Sequence, residues 1–135
     1  MNALNSGILS TLQGGTALTS LLSGGTAAIN YMQAPDKSTF PYVLFSIQGG
    51  GDLNISPSRM KDELYFVRGY SKTSPANAGT IDAQIDALLH NKTITVTGWT
   101  NYRTQRETDM ENEEVNTAGE HIYMAGGVYR ISIDS

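Results

Sequence analysis

The amino-acid sequence predicts an α+β domain with a mainly antiparallel sheet flanked by helices. Apolar residues recur at helical spacing near the N-terminus and again in the middle of the chain, whereas other segments have the two-residue alternation of strands. Short links join successive strands, which favours antiparallel pairing. The chain has 135 residues, the size of one domain, so we expect a single domain over residues 1–135.

The first third of the chain is predicted to hold two short helices and a strand. A helix is expected at 3–13, where apolar residues recur every four positions: Leu4, Ile8 and Leu12. Gly14-Gly15 ends this helix, and Thr16 is placed to cap a second one that runs as far as Gly24-Gly25. A strand at 27–32 follows, and then a proline-containing link at 34–37.

The middle of the chain is predicted to hold two strands and the clearest helix. Val43, Phe45 and Ile47 alternate with other side chains in a strand at 42–48, which the glycine triplet Gly49-Gly50-Gly51 breaks. A loop at 52–60 leads to a strand at 63–70. Ser74-Pro75 then opens a helix at 75–90. Helical spacing places its apolar residues on one face: Ile81, Ile85, Leu88 and Leu89.

The last third is predicted to hold two strands, near 93–105 and 121–133, on either side of a polar stretch at 106–120. Residues 107–120 have a charge of −6 in a chain of net charge −4, so the rest of the chain has +2. The acidic residues are Glu107, Asp109, Glu111, Glu113, Glu114 and Glu120. One interpretation is a solvated, mobile loop, and the other is a repulsive or partner-docking surface.

Composition excludes several classes of function. The chain has no cysteine, which rules out disulfide scaffolds, cysteine-based zinc sites and thiol nucleophiles. Two histidines are too few for a multi-histidine metal centre. The acidic charge balance argues against a general DNA-binding surface. No apolar run approaches a membrane span and no secretory signal is visible, so we expect neither a membrane partner nor secretion.

Three groups of residues invite a catalytic interpretation, and each has a simpler structural one. The glycine triplet lacks the lysine and the following helix of a phosphate-binding loop. His90 closes a helix and His121 opens a strand, and neither belongs to a triad-like pattern. Asp82 and Asp86 lie off the apolar stripe of their helix, which favours a solvated or interface-facing surface. We therefore expect no catalytic residue, cofactor or metal.

Short features spread over most of the chain resemble the tail terminator (tail completion) proteins of long-tailed bacteriophages. The helix pair ends in Ala17-Leu-Thr-Ser-Leu-Leu-Ser-Gly-Gly25, and Ala34-Pro35 precedes Phe40-Pro-Tyr-Val-Leu-Phe45. Gly51-Asp-Leu-Asn54 leads to the strand Tyr65-Phe-Val-Arg-Gly-Tyr-Ser71. The helix Ile81-Asp-Ala-Gln-Ile-Asp-Ala-Leu-Leu89 and the closing strand Val128-Tyr-Arg-Ile-Ser-Ile133 complete the order.

The resemblance implies a virion structural protein with a tail-terminator-like fold. Such proteins form a ring, usually hexameric, on the head-proximal end of the tail tube; they stop tube polymerisation and join the tail to the neck. The implied partners are further copies of the chain, the tail tube protein and a neck or head-completion protein, while genomic DNA passes through the lumen without specific binding. The implied location is the virion, and the host cytoplasm during assembly. A candidate interface loop comprises Asp52, Leu53, Asn54 and Arg59.

The acidic segment matches no motif of the family, so its role is inferred from charge alone. We expect it to face the lumen, where negative walls repel DNA phosphates, or the tube, where it would order on docking. Another neck or tail component of similar fold, such as a head-completion protein or a tube subunit, is the alternative function. A small enzyme is the third class, and it would need an enclosed pocket that holds His90 or His121 beside carboxylates.

Overall fold

A computed structural model describes residues 1–33, 39–53 and 59–135, and it has the predicted α+β class. The predicted link at 34–37 and the residue Asn54 lie outside the described residues. In chain order the elements are α1 (Asn2–Gln13), α2 (Thr16–Thr19), a short 3₁₀ helix (Gly25–Ala28), β1 (Ile29–Tyr31), β2 (Tyr42–Asp52), β3 (Met60–Ser71), α3 (Pro75–Leu89), β4 (Thr100–Val115) and β5 (His121–Asp134).

The described strands form one five-stranded sheet in the order β1-β2-β3-β5-β4. β1 is parallel to β2, and each other neighbouring pair is antiparallel. The mainly antiparallel sheet is therefore confirmed. A tight turn joins β4 to β5. β5 pairs with β3, and β4 lies outside it at the edge of the sheet.

The core lies between the helices and one face of the sheet. The predicted stripe of α1 is fully buried, as are Ile81, Ile85 and Leu89 of α3. They pack on alternate residues of the central strands: Val43, Phe45, Tyr65, Val67, Tyr129, Ile131 and Ile133. The periodic patterns thus predicted the buried faces correctly, because burial on one side selects a repeat of about 3.6 residues in helices and two in strands.

The predicted N-terminal cap is confirmed for α3 and is wrong for α2. The Ser74 hydroxyl accepts a hydrogen bond of 3.0 Å from the Asn77 amide, and Pro75 occupies the first turn of α3, as predicted. Thr16 was expected to cap the second helix, but Gly15 is the N-cap residue and Thr16 lies inside the helix. The predicted cap is therefore wrong. The helix is also only one turn long and ends at Thr19, well before Gly24.

The glycine triplet does not break the second strand as predicted. β2 continues to Asp52, with a bulge between Ile47 and Gly49 that shifts its register against β3. A Cβ on Gly50, which has a φ of 111°, would stand 2.2 Å from the carbonyl oxygen of Asp62. Gly50 therefore lets the backbones of β2 and β3 approach closely, and the pairing of the two strands continues through the triplet.

The polar stretch at 106–120 was expected to lack regular structure, but most of it is strand. β4 runs from Thr100 to Val115, and a turn held by the Asn116 side chain leads into β5. β4 buries only two side chains, Asn101 and Thr104, and two bulges interrupt its alternation. A strand that buries so little has no apolar periodicity to reveal it.

The strand predicted near 93–105 begins late, at Thr100. Before it, Ile94 is buried and donates its backbone N–H to the Asn101 side-chain oxygen, at 2.9 Å. Asn101 also donates to the backbone oxygens of Arg103 and Ser132. The Asn101 side chain thus supplies hydrogen-bond partners to backbone groups in and around an irregular segment. A pattern of apolar residues does not predict such contacts.

Close packing of α3 on β3 makes Gly69 sensitive to added volume. A Cβ on Gly69 would lie 2.5 Å from Cγ2 of Ile81, a buried and branched side chain, whereas nothing lies within 4 Å of a Cβ on Gly79, within α3. We expect Gly69→Ala to lower the free energy of unfolding by about 1–3 kcal/mol. The control Gly79→Ala should raise it by about 0.5–1 kcal/mol. Urea unfolding measures both, and equal effects would contradict this account of the packing.

Candidate assembly surface

A largely buried arginine side chain joins the edge strand to helix α3. Arg106 of β4 directs its guanidinium under the helix, where Nη1 and Nη2 donate to the two carboxylate oxygens of Asp82, each at 2.8 Å. The side chains of Arg106 and Asp82 are only 14% and 17% exposed. This two-point contact fixes both the position and the orientation of the guanidinium.

The remaining donors of Arg106 are also satisfied. Nε donates to Asp109 at 2.6 Å, Nη1 to the Tyr129 hydroxyl at 3.2 Å, and Nη2 to the backbone oxygen of Gly126 at 2.9 Å. All five N–H groups of the guanidinium are therefore in use. The hydrogen bonds to Asp82 raise the pKa of Arg106 above its usual value, so the arginine keeps its charge.

Gly127 of β5 makes room for this arginine, and its neighbour Gly126 lets β5 approach β3 closely. A Cβ on Gly127 would stand 2.6 Å from Nε of Arg106, and a Cβ on Gly126 would stand 2.5 Å from the backbone oxygen of Val67. Sequence reasoning missed Arg106, Tyr129 and both glycines as a unit. The signal that was present is the adjacent glycine pair inside an otherwise apolar strand, which often marks a close approach.

The two aspartates of α3 were predicted to lie on a solvated or interface-facing surface. For Asp82 this is wrong, because its carboxylate faces Arg106 within the same chain. Asp86 is 39% exposed and accepts a hydrogen bond of 3.0 Å from the Tyr129 hydroxyl, whose pKa burial raises. The aspartates thus hold α3 to the sheet instead of forming a separate surface.

The acidic residues of the predicted docking segment differ in their environments. Four of them pair within the chain: Glu107 with Arg130, Asp109 with Arg106, Glu113 with His121, and Glu120 with Lys72. Hydrogen bonds from Asn116 and Lys72 lower the pKa of Glu120. Glu111 and Glu114 form no ion pair with any described residue.

Strand pairing also divides the acidic residues between the two faces of the sheet. Glu111 and Glu113 lie opposite Ala125 and Tyr123, on the face that α3 covers, while Glu114 lies opposite Ile122 on the other face. The six carboxylates therefore do not form one continuous acidic surface.

The predicted interface loop is described in part. The Arg59 and Lys61 side chains each contact the Asp52 carboxylate at 2.9 Å, and the hydrogen bond from Arg59, followed by that from Lys61, lowers the pKa of Asp52. Leu53 is 42% exposed, and Asn54 lies outside the described residues. In this loop the Asp52 carboxylate is paired with two cations, and the next residue, Leu53, is an exposed apolar side chain.

The two histidines lie in different parts of the fold. Nδ1 of His90, just after α3, accepts a hydrogen bond of 3.1 Å from the backbone N–H of Arg106. His121 begins β5 and pairs with Glu113. Among the described residues, no group of three or more histidines and carboxylates is arranged to hold a metal ion. No helix in the described ranges is long and apolar enough to cross a membrane.

The fold is similar to that of a solved chain from the virion of a native gene transfer agent particle. The TM-score is 0.77 at 14% sequence identity, and the match covers 99% of this chain and 96% of the other. At this level of identity the similarity shows a shared fold. No protein-family model matches the chain, and no curated protein sequence matches it.

The environments of Asp82 and Asp109 predict unequal roles in stability, although both bind Arg106. Asp82→Asn removes the buried counter-charge of the guanidinium, and we expect the free energy of unfolding to fall by about 2–4 kcal/mol. Asp109 is 85% exposed, so Asp109→Asn should cost less than about 1 kcal/mol. Chemical denaturation of the two variants measures the difference, and a larger loss for Asp109→Asn would refute this ranking.

Proposed function

We propose that this chain is a structural protein of a phage-type virion and, more narrowly, a tail terminator that caps the head-proximal end of the tail tube. The observation that carries the proposal is the similarity of the fold to a gene transfer agent virion chain over nearly the full length of both. The sequence features between residues 17 and 133, which resemble the tail terminators in order and spacing, support the narrower role.

The surface supports a role in assembly. Charged residues make up 16% of the chain, against roughly 25% in an average soluble domain, so much of the surface is suited to contact with neighbours. Two of the residues first considered for catalysis make contacts within the fold: Asp82 accepts hydrogen bonds from Arg106, and His90 accepts one from a backbone amide of β4. The proposed role is therefore structural and not enzymatic.

In the proposed assembly, several copies close into a ring, with six as the expected number. One side of the ring contacts the tail tube protein, and the other contacts a neck or head-completion protein. Genomic DNA passes through the lumen. The protein is then a component of the mature virion, and it is made and assembled in the host cytoplasm.

The first test is the mass of the assembled protein, measured by light scattering or native mass spectrometry. The protein is measured alone and then with its tail tube subunit, and tube subunit alone is the control. We expect a closed ring, or a monomer that becomes a ring on short tubes and stops their growth, because a cap leaves no surface that copies the tube end. Tubes without the protein should continue to lengthen.

Two outcomes would contradict the terminator proposal. Polymerisation of this chain alone into long tubes would identify a tube subunit, which remains a phage-type virion component. A protein that remains monomeric and does not bind tube ends would reject both the terminator role and the tube-subunit role. His90 and His121 would then be tested for an enzymatic activity.

The acidic residues of β4 are proposed to line the path of DNA. We expect the combined variant Glu111→Gln, Glu113→Gln and Glu114→Gln to slow DNA ejection from assembled particles, because fewer negative charges repel the phosphates. Glu114 lies on the opposite face from the other two, so Glu114→Gln alone and the Glu111/Glu113 pair of changes test the two faces separately. Ejection is followed by the release of DNA from purified particles.

A different result would assign these residues to the tube. If the combined variant ejects DNA at the normal rate but caps tubes poorly, the acidic residues contact the tube protein. Unchanged ejection together with unchanged capping would reject both roles. Thermal unfolding of the isolated variant checks that the substitutions leave the fold intact.

A further inference from the structure

Among the described residues, the large apolar side chains that are exposed lie at the two lateral edges of the sheet. Three belong to the edge strand β4: Tyr102, Met110 and Val115, at 51%, 38% and 59% exposure. The other two, Met32 and Leu53, follow β1 and β2 at the opposite edge, at 57% and 42% exposure. Each edge of the described sheet therefore has apolar side chains that a neighbouring molecule could cover.

The β4 edge, defined as the outer side of residues 107–115, is open. Nearer the start of β4, the backbone oxygen of Thr104 accepts a hydrogen bond from the Asn91 amide, and the Arg106 amide donates one to His90. β4 pairs with β5 alone, so its outward backbone groups have no partner strand among the described residues. Proteins that remain monomeric usually shorten such an edge or protect it with charges and prolines. Here acidic residues lie beside the exposed side chains of Met110 and Val115, so the edge is protected only in part.

The opposite edge is open in a different way. β1 pairs with β2 only from Val43 to Phe45, and beyond them the outer side of β2 has no partner strand in the described ranges. We call Gly49–Leu53 the glycine edge. Nothing lies within 4 Å of a Cβ placed on Gly49 or Gly51, so another backbone can approach closely.

The two edges also complement each other in charge. On the β4 edge, Glu114 has no cationic partner among the described residues. It lies on the opposite face of the sheet from Glu111 and Glu113, so it can contact a neighbouring copy while those two face the lumen. At the end of the glycine edge, one carboxylate, Asp52, faces two cations, Arg59 and Lys61, and Arg59 is 63% exposed. Opposite charges on paired strands stabilise their contact.

We propose that copies of this chain join through the β4 edge of one copy and the glycine edge of the next. The occupant is a second copy, because each chain carries both complementary edges, and no described strand pairs with residues 107–115 of β4 or with the glycine edge on their outer sides. Two unlike edges make a heterologous contact, which leads to a ring when its geometry closes. This inference rests on the proposed ring and specifies which surfaces build it.

Cysteine cross-linking tests this contact cleanly, because the chain has no cysteine of its own. Met110→Cys is combined with Gly51→Cys in one chain, and the assembly is treated with a short bismaleimide, which tolerates a small shift in register. The control pair is Gly51→Cys with Ser10→Cys, on α1. Native mass is measured first, alone or on tubes, and denaturing electrophoresis follows.

We expect the Met110/Gly51 pair to give a covalent ladder that ends at the ring number, and each single variant and the control pair to remain mostly monomeric. A ring or a capped tube in which the Met110/Gly51 pair links no better than the control overturns the edge contact and leaves the terminator role standing. Absence of any ring, even on tubes, rejects the terminator role and this inference together.

Discussion

The contact between Arg106 and Asp82 is the constraint on which the outer part of the sheet depends. β4 contributes no buried apolar side chain, so the hydrophobic effect does little to hold it in place. Its side-chain anchors are polar: Asn101 and Thr104 near its start, and Arg106 in its middle. The backbone ladder to β5 supplies the rest. Everything that β4 presents to other molecules is therefore positioned by polar contacts.

A buried ion pair is a weak source of net stability but a strong source of position. Removing both charges from water offsets much of their attraction. All five donors of Arg106 are satisfied, however, and they connect β4, β5 and α3 at once. A shift of β4 by one residue would leave a charged group buried without partners, which costs far more than a misplaced methyl group. The pair thus selects one register.

The sequence predicted those parts of the fold that bury apolar side chains periodically. The stripe of α1 and that of α3 were found because each follows one helical face. The part of β4 after residue 105 was missed because an edge strand solvated on both faces has no such period. The glycine triplet was misinterpreted because its effect depends on β3, across the sheet. Arg106 and Asp82 are 24 residues apart on different elements, and their contact exists only once the helix and the sheet have packed.

Polar anchoring would also let one small sheet serve the proposed ring, which has two different ends. Because β4 is not needed for the core, its outer positions are free to contact a neighbour. The two lateral edges would then be used between copies, which leaves the strand ends for axial partners. Strand pairing places these ends apart: Met60 lies opposite Asp134 at one end, and Ser71 lies opposite Tyr123 at the other. The turn at 116–120 flanks the second end. A proposed ring of such subunits has two chemically different sides, and a cap that binds the tube on one side without copying the tube end on the other needs that difference.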